Sequence, residues 1–233
     1  MCENSRGVVK GFAQYICPPQ ENVYPIPDSL SLKHAALAEP LSCCLHGMDL
    51  LDVHLGDHVL IVGMGAIGSM MVQLCRLAGA AHIVVVEPQR EKKELAVKLG
   101  ATMFLSPDDD VIGILQQEQL HISRVMECVG LKATIEDAFR YAGKCATVVL
   151  FGLGDPQHPA VFDQYSAFQK ELTIKTSFVN PHTTQRAINL LSTKAIDCDA
   201  IISRIMPLED VVEELRTQEW FRKGKVIVKI GGD

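Results

Sequence analysis

Strand-like and helix-like segments alternate along the middle of this chain, and this alternation restricts its fold more than any other feature. Short apolar runs rich in β-branched residues recur, and between them apolar residues stand at helical spacing. The predicted strands cover residues 58–62, 82–87, 101–105, 123–128, 145–151 and 171–178. Strands this apolar, joined by helices, are typical of a parallel sheet that is covered on both faces. We therefore predict an α/β fold built on a doubly wound parallel sheet.

A glycine-rich turn, residues 63–68, follows the first predicted strand and opens the first predicted helix. The pattern G-x-G-x-x-G is a weak signal alone, but in this strand–turn–helix context it indicates a dinucleotide-binding Rossmann domain. Its three glycines would permit the tight turn, let a pyrophosphate approach the backbone, and let the helix pack close to the strand. The free amides at the helix N-terminus would then hold the phosphate charge. The predicted cofactor-binding residues of this turn are Gly63, Gly65, Ala66, Ile67 and Gly68.

Glu87 ends the second predicted strand, 19 residues after Gly68. A carboxylate at this place accepts hydrogen bonds from the ribose hydroxyls of NAD and disfavours the 2′-phosphate of NADP. Arg90 favours NADP instead, because a nearby Arg can accommodate that phosphate. The stretch 90–94 also fits an ordinary solvated helix face. We predict NAD as the cofactor, bound at Glu87 with Arg90 beside it.

Composition and charge exclude several classes of partner. Hydrophobic residues make up 48% and charged residues 21% of the 233 residues, as in ordinary globular proteins. The net charge of −6 disfavours nucleic-acid binding, which needs an excess of Lys and Arg. No apolar stretch approaches the roughly 18 residues of a membrane helix, and the first residues lack the apolar core of a signal peptide. We expect a cytoplasmic protein with eight free cysteines, none of them in a C-x-x-C pair.

Several further motifs occur in a fixed order along the chain. They are Ala-Glu-Pro-Leu-Ser at 38–42, Gly-Asp at 56–57, the glycine turn, Glu-Cys-Val-Gly at 127–130 and Phe-Gly-Leu-Gly at 151–154. In this order they resemble the medium-chain zinc-dependent alcohol dehydrogenases, in the branch of sorbitol, threonine and butanediol dehydrogenases. Residues 207–210 and 224–226 also resemble that family, so the resemblance extends from Cys2 to Ile230. It implies hydride transfer between NAD and a secondary alcohol or polyol.

The resemblance also implies roles for single residues. The cofactor contacts that it adds are Glu127, Cys128 and Gly130 on the adenosine side, Gly152 and Leu153 beside the nicotinamide, and Phe178 near the nicotinamide. Cys128 and Phe178 fit equally well as ordinary core residues. Glu39 matches an acidic residue that lies at or near the catalytic zinc, and it is the predicted metal residue. No residue is assigned to catalysis itself.

One part of the family pattern does not occur in this sequence. The family begins with a GroES-like domain that supplies a catalytic Cys, a Gly-His-Glu segment and four cysteines for a structural zinc. Cys2 resembles the last of those four, and one thiolate cannot complete a tetrahedral zinc site. We therefore expect an NAD-binding Rossmann domain at 45–180 with remnants of a GroES-like catalytic domain at both ends. The first remnant, 1–44, would contain loops and short strands; the second, 181–233, a helix, a loop, a second helix and a final strand.

Zinc matters chemically because it makes an alcohol ionisable near neutral pH. Zinc lowers the pKa of a bound water molecule by roughly nine units, to about 7, which amounts to about 12 kcal/mol. No single His or Glu of this chain replaces an effect of that size. We expect zinc in the family's complete enzymes but not in this chain alone, which should bind NAD(H) and oxidise little or no alcohol.

Two other functions are compatible with parts of the pattern. The first is a non-catalytic NAD(H)-binding module or sensor, and the second is a metal-free reductase of the quinone type, which Glu39-Pro40 and Cys2 disfavour. Within the dehydrogenase hypothesis, the residue after Phe178 is Val179, where sorbitol dehydrogenases carry Arg, so sorbitol itself is disfavoured. The family also implies a homodimer or homotetramer, with the sixth strand as the dimer edge.

Overall fold

The computed structural model describes residues 11–217 and 224–231. Cys2, which the sequence relates to a zinc-binding lobe, lies outside these ranges. The chain divides into two compact units, one formed by residues 43–178 and the other by 1–42 together with 179–233. The catalytic-domain origin of the two flanks stays a prediction. Within the described ranges, no helix has both the length and the apolar character needed to cross a membrane.

The helices and strands follow one another in a regular order. In the first half of the chain they are α1 (Leu32–Ala35), α2 (Ala38–Leu51), β1 (His58–Val62), α3 (Ala66–Leu77), β2 (His82–Val86), α4 (Lys93–Leu99), β3 (Met103–Leu105) and α5 (Val111–Gln117). In the second half they are β4 (Arg124–Glu127), α6 (Lys132–Tyr141), β5 (Thr147–Leu150), α7 (Gln164–Lys170), β6 (Thr173–Thr176), α8 (Thr184–Ser192), β7 (Ile202–Pro207), α9 (Val211–Thr217) and β8 (Lys225–Lys229). Short 3₁₀ turns occupy Gln20–Asn22, Arg90–Lys92 and Leu208–Asp210.

Strands β1 to β6 form one sheet in the order β3-β2-β1-β4-β5-β6, and every neighbouring pair is parallel. This is the strand order of a Rossmann fold, with the order reversing between β1 and β4. All six strands occur where the sequence predicts them, which confirms the predicted fold class. The carboxyl ends of β1, β2, β4 and β5 therefore meet at one edge of the sheet.

The central strands are buried on both faces, as the apolar runs predict. In β1 and β2 every residue after the first is buried. Because successive side chains of a strand point to opposite faces, burial of consecutive residues means that both faces are covered. One face carries an apolar core built from Leu60, Val84, Val125 and Val148 of four neighbouring strands, with residues of α5 and α6 packed on them.

Two helix ends show clear caps. Asp110 precedes α5, and its side chain accepts a hydrogen bond from the amide of Gly113 at 3.0 Å, as an N-cap residue does. Gly100 ends α4 with φ of 124°. Residues 90–99 form a 3₁₀ turn followed by α4, so the first turn of this segment is tighter than an α-helix.

The smaller unit corrects two predictions. Residues 11–44 contain no strand: instead, a 3₁₀ turn, α1 and the start of α2 lie there. Pro40 is compatible with α2 because it stands in the first helical turn, where an amide has no intrahelical partner. The loop predicted between the last two helices contains β7, which pairs in parallel with β8.

Asp57 joins the amino ends of two neighbouring strands. Its Oδ1 accepts from Ser123 Oγ at 2.8 Å, its Oδ2 accepts from the His54 amide at 2.8 Å, and Arg124 Nη2 lies 3.4 Å from Oδ2. Burial acts to raise the pKa of this carboxyl, but the His54 and Ser123 hydrogen bonds and the Arg124 charge together lower it below 3.8. The Gly-Asp motif at 56–57 is thus a structural element of the sheet.

We predict that Asp57→Asn lowers the free energy of unfolding by about 1–3 kcal/mol at neutral pH, because a charged acceptor of three contacts is lost. The matched control is Asp52→Asn, whose side chain is 66% exposed; it should change the free energy by less than about 0.5 kcal/mol. Because folding lowers the pKa of Asp57, its stabilisation is present above 3.8 and is lost as the pH falls through the folded value. Urea unfolding, followed by circular dichroism at several pH values, measures the free energy of unfolding. The values for the wild type and for Asp57→Asn should converge in acid, and a difference that persists there would contradict the assignment.

Candidate cofactor site

The glycine turn is tightly packed on one side and open on the other. Gly63 follows β1 with φ of 96°, and a Cβ atom on Gly68 would lie 2.0 Å from the Gly63 carbonyl oxygen. By contrast, a Cβ atom on Gly65 would meet nothing within 4 Å. Gly63 and Gly68 are therefore required by the backbone, whereas Gly65 leaves a space above the turn free.

Helix α3 directs its N-terminus into that space. Gly65 is the N-cap residue, and Ala66 and Ile67 form the first turn with part of their surface exposed. The first amides of a helix have no intrahelical acceptor, and the helix dipole places positive potential there. Amides and open space at one helix end are the arrangement that binds a phosphate.

Glu87 lies directly beside this turn and is only 6% exposed. Its Oε2 accepts a hydrogen bond from the Met64 amide at 2.7 Å, which ties the end of β2 to the turn after β1. Its Oε1 accepts from the Gln89 amide at 3.2 Å and from Lys92 Nζ at 3.3 Å. The structure therefore brings together the acid and the glycine turn that the sequence paired.

The two cations after β2 have different partners. Arg90, the predicted neighbour of the cofactor, donates from Nη2 to Asp109 Oδ1 at 2.8 Å. Lys92, which the sequence analysis did not single out, forms the ion pair with Glu87. Its position five residues after the acid was the available signal, and the 3₁₀ turn at 90–92 contains it.

Two further loops meet beside the glycine turn. A Cβ atom on Gly63 would lie 2.5 Å from Val129 Cγ2, so the loop after β4 abuts the loop after β1. Gly130 has φ of 85°, and a Cβ atom on it would lie 2.4 Å from the Leu153 carbonyl oxygen. A Cβ atom on Gly152 would lie 2.2 Å from the Gly130 amide nitrogen. The loops that carry the predicted residues 128, 130, 152 and 153 therefore touch backbone to backbone.

The buried Glu127 side chain accepts hydrogen bonds from the first of these two loops, the loop after β4. The residue is fully buried, and its Oε1 accepts three hydrogen bonds, each of 2.8 Å, from the Val129 and Gly130 amides and from Thr134 Oγ1. A Cβ atom on Gly152 would lie 2.7 Å from Oε2. Glu127 thus orders the loop after β4 from inside the protein. The resemblance implied a cofactor contact on the adenosine side, but the side chain of Glu127 has no exposed surface for one.

The exposures of the remaining predicted residues differ. Leu153 is 91% exposed and Phe178, two residues after β6, is 72% exposed, so the interpretation of Phe178 as a core residue is wrong. Cys128 is partly buried, and burial raises the pKa of its thiol well above the ordinary value. An exposed leucine and phenylalanine at the carboxyl end of a sheet offer apolar surface to a planar ring.

Glu39 lies exposed in the first turn of α2. Its carbonyl oxygen accepts a hydrogen bond from Ser42 Oγ at 2.6 Å. Across 11–217 and 224–231, no group of three or more His, Cys, Asp and Glu side chains is arranged to hold a metal ion. The zinc role of Glu39 stays a prediction.

Comparisons with known proteins agree with this geometry. The family model of the zinc-binding dehydrogenases matches residues 66–193, more than half of the chain. The chain belongs to this family. It is 28% identical to D-arabinitol dehydrogenase 1 of Uromyces fabae over 211 residues, which are 88% of this chain and 60% of that protein. It is 30% identical to the sorbitol dehydrogenase of Macaca fascicularis over 217 residues, 88% of this chain and 58% of that enzyme.

A solved structure is also similar. A protein of Sinorhizobium meliloti 1021, described as a zinc-binding dehydrogenase and crystallised with NADP, is 34% identical and superposes with a TM-score of 0.89, covering 94% of this chain and 65% of that one. This zinc-binding dehydrogenase chain spans about 60% of the length of its curated relatives. The family that the sequence motifs indicated is thereby confirmed.

We predict that Gly152→Ala lowers the free energy of unfolding by about 1–3 kcal/mol, because the added methyl group would overlap the Gly130 backbone and the buried Glu127 carboxylate. The control lies two residues further on: a Cβ atom on Gly154 would meet only Ile135 Cδ1 at 3.6 Å, an ordinary contact. Gly154→Ala should therefore stay within about 0.5 kcal/mol of the wild type. Equal stability of the two variants in urea would show that the loops are not locked together.

Proposed function

We propose that residues 43–178 bind NAD(H) along the carboxyl edge of the sheet, at the point where the strand order reverses. The observation that supports this most directly is the contact between Glu87 Oε2 and the Met64 amide. It places a carboxylate next to a glycine turn whose outer side is open above Gly65. The pyrophosphate would lie on the first amides of α3, and the adenosine ribose would lie at Glu87.

The same geometry suggests a place for the other half of the cofactor. The loops after β4 and β5 lie next to the glycine turn on the side away from Glu87, since β4 and β5 follow β1 in the sheet. Gly152 and Leu153 would line the nicotinamide there, Phe178 would cover it, and Gly130 would lie on the adenosine side. When bound, the nicotinamide supplies the chemistry of hydride transfer. This chain's own residues hold it in place and shield one side of it with apolar surface.

For the reaction, we propose oxidation of a secondary alcohol or a polyol, or the reverse reduction. The names of the arabinitol and sorbitol dehydrogenases support this substrate class, and the NADP in the Sinorhizobium protein supports a dinucleotide at this site. The family also implies zinc, for which Glu39 is the residue we propose. The described side chains do not form a three-ligand site, so no catalytic step is derived through the metal.

Other expectations stay predictions. They are the cytoplasmic location, the homodimer or homotetramer, and the absence of nucleic-acid and membrane partners. The non-catalytic NAD(H) sensor also stays open as an alternative, because it requires the same dinucleotide site. Binding experiments test the site, and turnover separates the enzyme from the sensor.

We predict that Gly65→Ala weakens NADH binding by about tenfold or more. The methyl group of the alanine would occupy the space through which the pyrophosphate reaches the amides. The folded protein should tolerate the change, losing at most about 1 kcal/mol through the poorer N-cap. NADH fluorescence titration measures the affinity, and thermal unfolding without cofactor provides the control. Unchanged NADH binding by a folded Gly65→Ala protein would refute the proposed site.

We also predict that the 233-residue chain, purified by itself, binds NADH but shows little or no zinc-dependent oxidation of polyols. The physical reason is the stabilisation of about 12 kcal/mol that zinc gives to an alkoxide, which no single side chain supplies. The measurement follows NADH production from a panel of secondary alcohols and polyols, with and without added zinc. Sustained zinc-dependent turnover would overturn this prediction and leave the dinucleotide site untouched.

A further inference from the structure

The amino ends of β1 and β2 bring two histidines together. His58 begins β1 and His82 begins β2, and the parallel register pairs these two residues directly. Residues paired in this way point to the same face of the sheet. Their rings meet edge to face, with the ring centroids 4.7 Å apart. Because histidine is the side chain that gains a positive charge in mild acid, acid turns this contact into one between like charges.

The His58 ring is also poorly suited to carry a second proton. Its Nδ1 atom is buried, and within residues 11–217 and 224–231 it has no hydrogen-bond partner. A neutral imidazole has one donor and one acceptor nitrogen, whereas in an imidazolium both nitrogens are donors. A protonated His58 would therefore hold a charged N–H group at a buried position without an acceptor, which costs free energy.

Groups from several elements act on the charge of His58, and most of them oppose it. Burial lowers the pKa of His58 below 6.5, and the charges of His82 on β2 and His121 before β4 lower it further. Asp57, the preceding residue, acts in the opposite direction. The Asp57 carboxylate, however, already lies 3.4 Å from Arg124 Nη2. This acid is therefore paired with a cation and compensates a proton on His58 only weakly.

We propose that His58 and His82 form a pH-sensitive switch, in which protonation of the two rings in mild acid loosens the amino ends of β1 and β2. The effect extends to β4, because the Ser123 amide donates to the His58 carbonyl oxygen at 3.0 Å and Ser123 directly precedes that strand. The switch lies at the edge of the sheet opposite the proposed dinucleotide site. It therefore does not depend on the proposed function, and a test of it needs no cofactor.

The pH window of the switch follows from the direction of the pKa shift. Because folding lowers the pKa of His58, its contribution to stability is present above 6.5 and is lost as the pH falls from there through the folded value. This window lies above that of Asp57, whose stabilisation is lost below 3.8. The two groups can therefore be separated by pH in one series of measurements.

The experiment measures urea unfolding of the full chain, without cofactor, between about pH 8 and about pH 5. Over this range the unfolding equilibrium constant of the wild type should rise by about threefold or more relative to that of His58→Phe. Phenylalanine keeps a planar ring at this position but cannot be protonated. His82→Phe, which removes the like charge, should abolish part of the rise. The matched control is His158→Phe, whose histidine side chain is 72% exposed, and it should keep the wild-type pH dependence.

Two outcomes in urea would overturn the proposal. One is the same pH dependence in the wild type and in His58→Phe. The other is an unchanged dependence in His82→Phe, because His58 would then respond to burial alone. An NMR titration of the wild type serves if His58→Phe does not fold: the His58 ring should titrate below 6.5, and its midpoint should rise in His82→Phe. A His58 ring that titrates as an exposed histidine does would contradict the switch.

Discussion

At Gly68 the backbone of helix α3 lies so close to the Gly63 carbonyl oxygen that a Cβ atom would stand 2.0 Å from it. This approach determines where the helix begins relative to strand β1, and with it the direction of the helix dipole. Because β1 is the strand at which the order of the sheet reverses, the helix N-terminus points into the crevice between the loops of both halves. The proposed pyrophosphate position follows from this contact, and the loops after β2 and β4 lie next to it.

Two buried acids then order the backbone on the two sides of that turn, and only Glu87 bonds to the turn itself. Glu87 at the end of β2 accepts from the Met64 amide, and Glu127 at the end of β4 accepts from the amides of residues 129 and 130. A buried carboxylate is costly unless hydrogen bonds stabilise it, and backbone amides provide such bonds at fixed positions. The same arrangement holds the loops in register, and in Glu127 all three hydrogen bonds reach Oε1, whereas the buried Oε2 has no hydrogen-bond partner in the described part of the chain. Glu127 does so entirely inside the protein, whereas Glu87 remains close enough to the surface to meet a ligand.

The sequence predicted the sheet well because local signals and global packing agree there. Strands β1, β2, β4 and β5 contain consecutive buried residues, so their apolar runs leave little ambiguity, whereas β6 is mostly exposed. The flanks were harder. In β7, Ile202–Pro207, the polar Ser203 and Arg204 interrupt the apolar residues, and its partner β8 lies more than fifteen residues further along the chain. At the other flank the loops were predicted correctly, but α2 begins before residue 44, and its Pro40 lies where a helix tolerates it.

For the site, the sequence predicted which residues gather but not how their charges are balanced. Glycine spacing and an acid at the end of β2 follow from backbone geometry, which a motif records. Whether that acid acts as a bare negative charge depends on a side chain from a 3₁₀ turn, Lys92, and on the partner that Asp109 provides for Arg90. Such pairings depend on rotamers and on the local pitch of one turn, so Lys92 forms an ion pair with Glu87 whereas Lys93, with the same charge, is exposed at the start of α4. A motif therefore records the backbone of this site but not the pairing of its charges.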